Sequence, residues 1–224
     1  MKLYMHPVSM TSRPVRLFMT ENKIACDEEL VDLMTGAHLQ EPYASVNPNC
    51  LVPMLVDGDL KLTESSAILK YLADKVGSPA YPKDLKQRAK VNEMMDWINT
   101  NFYRAWGYNL AYPQLFPHLK GRSDEAQAAM LEAGQANSKK WLKLLNDHWI
   151  GPNKQYLCGD QITIADYFGA GIVTLGELIG CDFSPYPNVR RWLANMKKLP
   201  SWDKVNEHFY GLREAIKSQN FVRI

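Results

Sequence analysis

Residues able to do chemistry are sparse in this chain. Its five histidines (His6, His38, His118, His148, His208) form no HExxH pair and, together with the cysteines, no zinc-ligand spacing. There is no Walker loop, no GxGxxG and no GxSxG. The four cysteines (Cys26, Cys50, Cys158, Cys181) are scattered and include no CxxC, so neither a disulfide scaffold nor a dithiol centre is expected. What remains are hydroxyls. Ser9, Thr11 and Ser12 crowd the segment between Pro7 and Pro14, and Ser65 follows Glu64 ahead of an apolar-periodic run. Chemistry here has to rest on a bound small molecule or on isolated hydroxyls.

The composition suits a reduced, cytosolic, globular protein. Hydrophobic residues make up 46% and charged residues 22% of 224, and the formal net charge is +2. A nucleic-acid binder carries a basic excess or stripe, and this chain has neither. No apolar run approaches the ~18–20 residues of a membrane span. The N-terminal Met1-Lys2-Leu3-Tyr4-Met5-His6-Pro7 lacks the apolar stretch of a secretory signal.

The elements that must position these hydroxyls fall into two groups. Residues 2–5 read as a strand and 12–22 as a helix, with Pro14 tolerable in its first turn. Residues 25–33 read as a second strand, acidic enough to suit an edge. Two further strands, 52–56 and 60–62, flank Asp57-Gly58-Asp59, a hairpin signal because glycine accepts positive φ. A helix opening at Glu64-Ser65 runs to about Gly77. After Ser78-Pro79-Ala80-Tyr81-Pro82 the strand signals vanish, and helical patterns follow over 85–109, 123–148, 164–179, 187–199 and 201–216. Thr163-Ile164-Ala165-Asp166 is a capping-box variant ahead of an almost wholly apolar helix, which marks that helix as central. The expected fold is α/β plus all-α: a thioredoxin-like domain over 1–77, a linker over 78–86 and an all-helical domain over 87–224.

Taken together, several segments resemble the cytosolic glutathione transferases, particularly the theta and delta classes and the bacterial dichloromethane dehalogenases related to theta. They are Tyr4 to Ser9 leading into Arg13-Pro14-Val15, Glu29-Leu30-Val31-Asp32-Leu33, Gly36-Ala37-His38-Leu39, Val46-Asn47-Pro48, Val52-Pro53-Met54-Leu55, Leu62-Thr63-Glu64-Ser65-Ser66-Ala67-Ile68, Tyr81-Pro82, Tyr156-Leu157-Cys158-Gly159-Asp160 and Thr163-Ile164-Ala165-Asp166. Their joint order and spacing carries the resemblance over nearly the whole chain.

The resemblance implies a transferase that binds glutathione as co-substrate, with no metal, and directs its thiolate to a small hydrophobic electrophile. It implies that Ser65 holds the γ-glutamyl carboxylate and Glu64 the ligand's ammonium. The backbone of Val52, between Leu51 and a cis Pro53, would pair with the cysteinyl part. His38 matches a position that reaches the glycyl carboxylate in some members. Cys50 departs from the pattern: delta members commonly carry a histidine there and theta members a lysine nearby, so Lys61 or His38 would have to compensate. Ser66 likewise stands where delta members have an arginine. Met10, Tyr103 and Trp106 match positions lining the electrophile pocket, and some theta enzymes place an arginine where Tyr103 sits. A homodimer is implied, with no nucleic-acid or membrane partner. Glutathione-dependent dehalogenation or peroxidase work shares the same thiolate, and a non-catalytic glutathione-fold module is the alternative from another class. A cysteine-based thiol transferase is disfavoured, because the loop from Pro7 to Pro14 contains no cysteine.

The activating hydroxyl is a question of register. Ser12-Arg13-Pro14-Val15-Arg16 copies a theta-class word, but accepting it requires an insertion of three residues. Aligning forward from Tyr4 places Ser9 on the family serine without a gap, together with Arg13, Val15 and the second strand. Ser9 is therefore the expected thiol-activating residue, and Ser12 the expected helix cap.

Overall fold

A computed structural model describes all 224 residues. The N-terminal part contains β1 (Lys2–Met5), α1 (Ser12–Glu21), β2 (Asp27–Leu30), the short α2 (Tyr43–Val46), β3 (Met54–Asp57), β4 (Leu60–Leu62) and α3 (Ser65–Lys75). The four strands form one sheet in the order β2-β1-β3-β4. β1 is parallel to β2, while β3 is antiparallel to both β1 and β4. This is the thioredoxin-like arrangement expected, with two adjustments. The second strand is shorter than residues 25–33, and Glu41-Pro42 is cis as well as Val52-Pro53. β2 is exposed at every residue, and its acidic side chains pair outward, Glu28 with Arg16 and Glu29 with Lys2. Charges on an open edge discourage pairing with another chain.

The remaining chain is helical. α4 (Leu85–Trp97) continues without a break through wide i→i+5 turns over Ile98–Phe102 and Arg104–Ala111 into α5 (Tyr112–Leu115). α6 (Asp124–Leu144) likewise ends in a wide turn over Leu145–Ile150. α7 (Ile164–Val173), α8 (Leu175–Leu178), α9 (Pro187–Met196) and α10 (Trp202–Ile216) complete it. The 85–109 and 164–179 patterns thus differ from observation in detail: the first runs on to Leu115, and the second breaks at Thr174. No helix is long and apolar enough to cross a membrane.

Every residue of α7 is buried, as its apolar sequence requires, and it is the element on which the two parts meet. α1 lies on it so closely that a Cβ on Gly171 would fall 2.4 Å from Pro14 and 2.8 Å from the Met10 carbonyl oxygen. The segment after α3 is pinned too. The Ala80 carbonyl accepts the Ile164 N–H at 2.9 Å, and the Arg88 guanidinium sits 4.0 Å from the Tyr81 ring centre.

The capping box forms. Asp166, wholly buried, accepts from the N–H groups of Leu157 and Thr163 (both 2.7 Å), the Thr163 hydroxyl (2.9 Å) and the Trp192 indole (2.9 Å). Burial pushes its carboxyl up to about 6 against these four donors, which favour the charge. Asp166→Ala orphans three buried N–H groups at once. We expect it to cost about 3 kcal/mol or more, read as a lower urea midpoint at unchanged m-value. A loss below ~1 kcal/mol would mean that these donors find other partners.

Candidate functional site

The loop from β1 into α1 is shaped by its own hydrogen bonds. The Ser9 N–H donates to the His6 carbonyl at 3.0 Å, and the Ser9 carbonyl accepts from Arg13 N–H at 3.0 Å, opening the helix. The Ser9 hydroxyl oxygen accepts the N–H groups of Ser12 (3.2 Å) and Thr11 (3.4 Å). Capping therefore falls to Ser9. This corrects the expectation for Ser12, whose hydroxyl is fully buried and accepts the His6 N–H at 3.5 Å instead. The cap lies three residues upstream because Ser12 already has helical backbone, so its side chain points into the core. Ser9 itself is half-buried, with its oxygen among free helix N–H groups that favour negative charge nearby.

Facing this loop is the segment that ends at cis Pro53. The Leu51 carbonyl accepts from the Tyr43 hydroxyl (2.5 Å) and the Asn47 amide (2.8 Å), which anchors the approach to Pro53, while the Leu51 side chain is exposed. Val52 packs with Val31 and Tyr43 in a small core of its own. The Thr11 hydroxyl donates to its carbonyl at 3.0 Å, joining the two loops, and its N–H donates to no protein acceptor. Cys50, half-buried, takes a left-handed backbone with φ 53°.

α3 begins with Ser65 directly after Glu64, whose φ is 64°. A left-handed backbone at a glutamate costs on the order of 1–2 kcal/mol. Ser65 is buried, and its hydroxyl has no protein partner. The first turn of α3 has no side-chain cap, so its first N–H groups are left open to a ligand. His38 lies on the short turn Ala37–Leu39, with a buried Nδ1 that has no partner. Burial, aided by His118, lowers its pKa from the ordinary 6.5 and leaves it neutral at pH 7.

The helical part supplies an aromatic wall, and here the placements diverge. The Tyr103 ring is buried with its hydroxyl 2.5 Å from that of Tyr112, and Tyr108 lies 5.3 Å from both rings, tilted against Tyr103 and edge-on to Tyr112. Tyr108 is 47% exposed and feels the charge of Glu64 on its phenol, so it is the member of the trio that faces the cleft. Trp106 lies elsewhere. It is fully buried between Phe102 and Phe183, with no face open to the cleft. Met10 is also buried, its sulfur accepting from Arg13 at 3.1 Å. Tyr108 and Tyr112 carry no motif that marks them as site residues in the sequence. Their offset from Tyr103 fits no 3.6-residue period, and only an i→i+5 ladder brings Tyr108 over Tyr103. Gly107 is needed there, since a Cβ would meet the Tyr103 ring at 2.6 Å.

Two family models match the chain, "Glutathione S-transferase, N-terminal domain" over residues 1–74 and "Glutathione S-transferase, C-terminal domain" over 109–200. The chain is 36% identical to glutathione S-transferase theta-1 of Homo sapiens, across 92% of this chain and 86% of that one. It is 34% identical to glutathione S-transferase T1 of Arabidopsis thaliana, across 98% and 93%. Among solved structures it is similar to human glutathione S-transferase T1-1 in its apo form (TM-score 0.82, 32% identity, 95% of this chain and 90% of that one). It is also similar to human glutathione transferase theta-2 in complex with glutathione and an unknown ligand (TM-score 0.85, 28% identity, 100% and 93%).

His6 gives the site loop a pH dependence. It is 7% exposed, with Nε2 3.8 Å from Asp32, and burial, assisted by His208 and His38, holds its pKa below the ordinary 6.5. The unfolded chain therefore takes the proton first as pH falls, and stability drops as pH passes below ~6.5, levelling off under the folded pKa. Urea unfolding at pH 7.5 and 5.5 should show this loss in the native protein and a smaller one in His6→Gln. Equal losses would remove His6 as the cause.

Proposed function

Because the chain belongs to the glutathione S-transferase family, with theta-class enzymes among its relatives, we propose that it conjugates the thiolate of glutathione to small hydrophobic electrophiles in the cleft between its two parts. The observation that carries this reading is the backbone of Val52. Beside cis Pro53 it offers an N–H without a protein partner and a carbonyl, held 3.0 Å from the hydroxyl loop by Thr11. A peptide-like ligand can pair with both groups as an added strand would.

The remaining contacts follow from charge. The open N-terminus of α3 and the Ser65 hydroxyl take the γ-glutamyl carboxylate, and Glu64 takes the ammonium. His38 and Cys50 are the nearest groups to the glycyl end and carry no positive charge at neutral pH, so that carboxylate is held by neutral donors or by Lys61. The sulfur then lies at the Ser9 loop. The Ser9 hydroxyl, itself accepting two N–H bonds, donates to the thiolate and lowers its pKa with the help of the α1 N-terminus. The electrophile rests against Tyr108 and the Tyr103–Tyr112 pair. Of the pocket residues implied by the resemblance, Met10 and Trp106 act from behind this surface, as packing.

In this reading residues 1–77 are the glutathione-binding domain, 78–86 the linker and 87–224 the domain that supplies the electrophile pocket. The protein works as a homodimer in the cytosol, in a detoxifying role. Leu51 and Leu85, 59% and 82% exposed, are among the apolar side chains available to a second copy. The four unpaired cysteines suit a reducing compartment.

Two measurements test the proposal: ultraviolet titration of the bound thiol, and turnover with a generic aryl halide and an alkyl halide. Ser9→Ala should raise the pKa of bound glutathione by about one unit or more, a loss on the order of 1.4 kcal/mol of thiolate stabilisation. As the helix cap, Ser9 should also cost about 1 kcal/mol of fold stability when replaced. Ser12→Ala should leave the thiol curve in place. A shift in Ser12→Ala without one in Ser9→Ala would overturn the assignment. Glutathione binding with no turnover on either halide would favour the non-catalytic module.

A further inference from the structure

The hydrogens of the hydroxyl loop can be counted. The Val52 carbonyl can only accept, so the 3.0 Å bond from Thr11 uses the single hydrogen of the Thr11 hydroxyl. The Ser9 and Thr11 oxygens are 3.1 Å apart, so the hydrogen between them belongs to Ser9. The unliganded loop is therefore a directed chain, with the Ser9 hydroxyl donating to Thr11 and Thr11 donating to Val52. The Ser9 hydrogen is turned toward Thr11 and is not free to point at a sulfur.

Resting on the function proposed above, we propose that Thr11 is a positioning residue that couples recognition of the glutathione peptide at Val52 to the direction of the Ser9 hydroxyl. A thiolate is a charged acceptor and outcompetes a neutral hydroxyl for the Ser9 hydrogen. Once that hydrogen turns to sulfur, the two hydroxyl oxygens face each other at 3.1 Å with no hydrogen between them unless Thr11 turns as well. Thr11 then donates to Ser9 and releases the Val52 carbonyl to the ligand's amide N–H. The Ser9 oxygen, with two lone pairs, then accepts from the Ser12 N–H and the Thr11 hydroxyl, the longer 3.4 Å bond from the Thr11 N–H giving way, and the stronger hydroxyl donor makes the Ser9 O–H a stronger donor to sulfur. Peptide pairing at Val52 and thiolate stabilisation at Ser9 thus favour one another. No bond to carbon or sulfur changes in this step; one hydroxyl hydrogen rotates on each residue.

The test uses Thr11→Val, which keeps the shape without the hydroxyl, and Thr11→Ser, which keeps the hydroxyl. Thr11→Val should raise the pKa of bound glutathione by about 0.5 unit or more, a threefold or greater loss in acid constant, and Thr11→Ser should restore it. Affinity for S-methylglutathione, which cannot form a thiolate, should change less than the thiol pKa does. In a Ser9→Ala background Thr11→Val should produce no further shift, because the hydroxyl through which Thr11 acts is gone. A purely structural role predicts the opposite: weaker S-methylglutathione binding, an unmoved thiol pKa and additive effects with Ser9→Ala. Those results would overturn the inference. If Thr11→Val does not fold, Thr11→Ala is titrated in its place by the same criterion. Failure of the native protein to bind glutathione or to lower its thiol pKa would instead defeat the proposed function, and this inference with it.

Discussion

The position of the loop between β1 and α1 depends on a buried cation, Arg13. Its guanidinium lies at the interface between the two parts, 2% exposed, with no carboxylate bonded to it. Nη1 donates to Asn206 of α10 at 2.6 Å. Nη2 donates to the Gly171 carbonyl (2.9 Å) and the Thr174 hydroxyl (3.0 Å) at the end of α7, and the plane sits 3.7 Å from the Phe209 ring centre. A buried charge without such partners costs several kcal/mol, so the contacts are obligatory once the residue is inside. Burial lowers its pKa to about 10, which leaves it charged at neutral pH. Arg13 is the second residue of α1, and the Ser9 carbonyl accepts its N–H. The helical part, by solvating this one cation, therefore fixes where α1 starts and where the Ser9 hydroxyl stands.

From that anchor the site is built by loops held at both ends. Tyr43 and Asn47 grip the Leu51 carbonyl, Thr11 grips the Val52 carbonyl, and the Val52 N–H is left open. The left-handed backbones at Cys50 and Glu64 flank the segment from Leu51 to Thr63. Backbone of this kind persists only where surrounding packing over-determines it, and here it borders the cleft. The groups left open along this segment are mostly main-chain and helix-terminus in character, and these do not depend on side chains such as that of Cys50.

The opposite wall follows different physics. An i→i+5 ladder widens the helix and changes which residues stack, so tyrosines that an ordinary helix would splay apart form one surface. The cost of weaker helical hydrogen-bond geometry is offset by three aromatic contacts at 5.3–5.9 Å and a hydroxyl pair. Such a wall is rigid and apolar, and only Tyr108 is substantially exposed on it.

Much of this was legible in the residues alone, for physical reasons that act locally. Alternation and the Asp57-Gly58-Asp59 turn made the β3–β4 hairpin readable, and the wholly apolar run behind Thr163 and Asp166 marked α7 as central. The resemblance singled out Ser9, through a register that met strand, helix and next strand without a gap, and Glu64-Ser65, at the start of a helix. The structure decided what depends on partners far apart in the chain. Ser12 reads as a cap by adjacency, but its hydroxyl is buried and Ser9 takes the free N–H groups. Trp106 matches a pocket position by the resemblance, but its side chain is fully buried, and Tyr108 is the ring of this segment left exposed. The bond from Thr11 to Val52 spans 41 positions and that from Arg13 to Asn206 spans 193. Periodicity and capping rules act within a few residues, so contacts of that length appear only when the chain has folded.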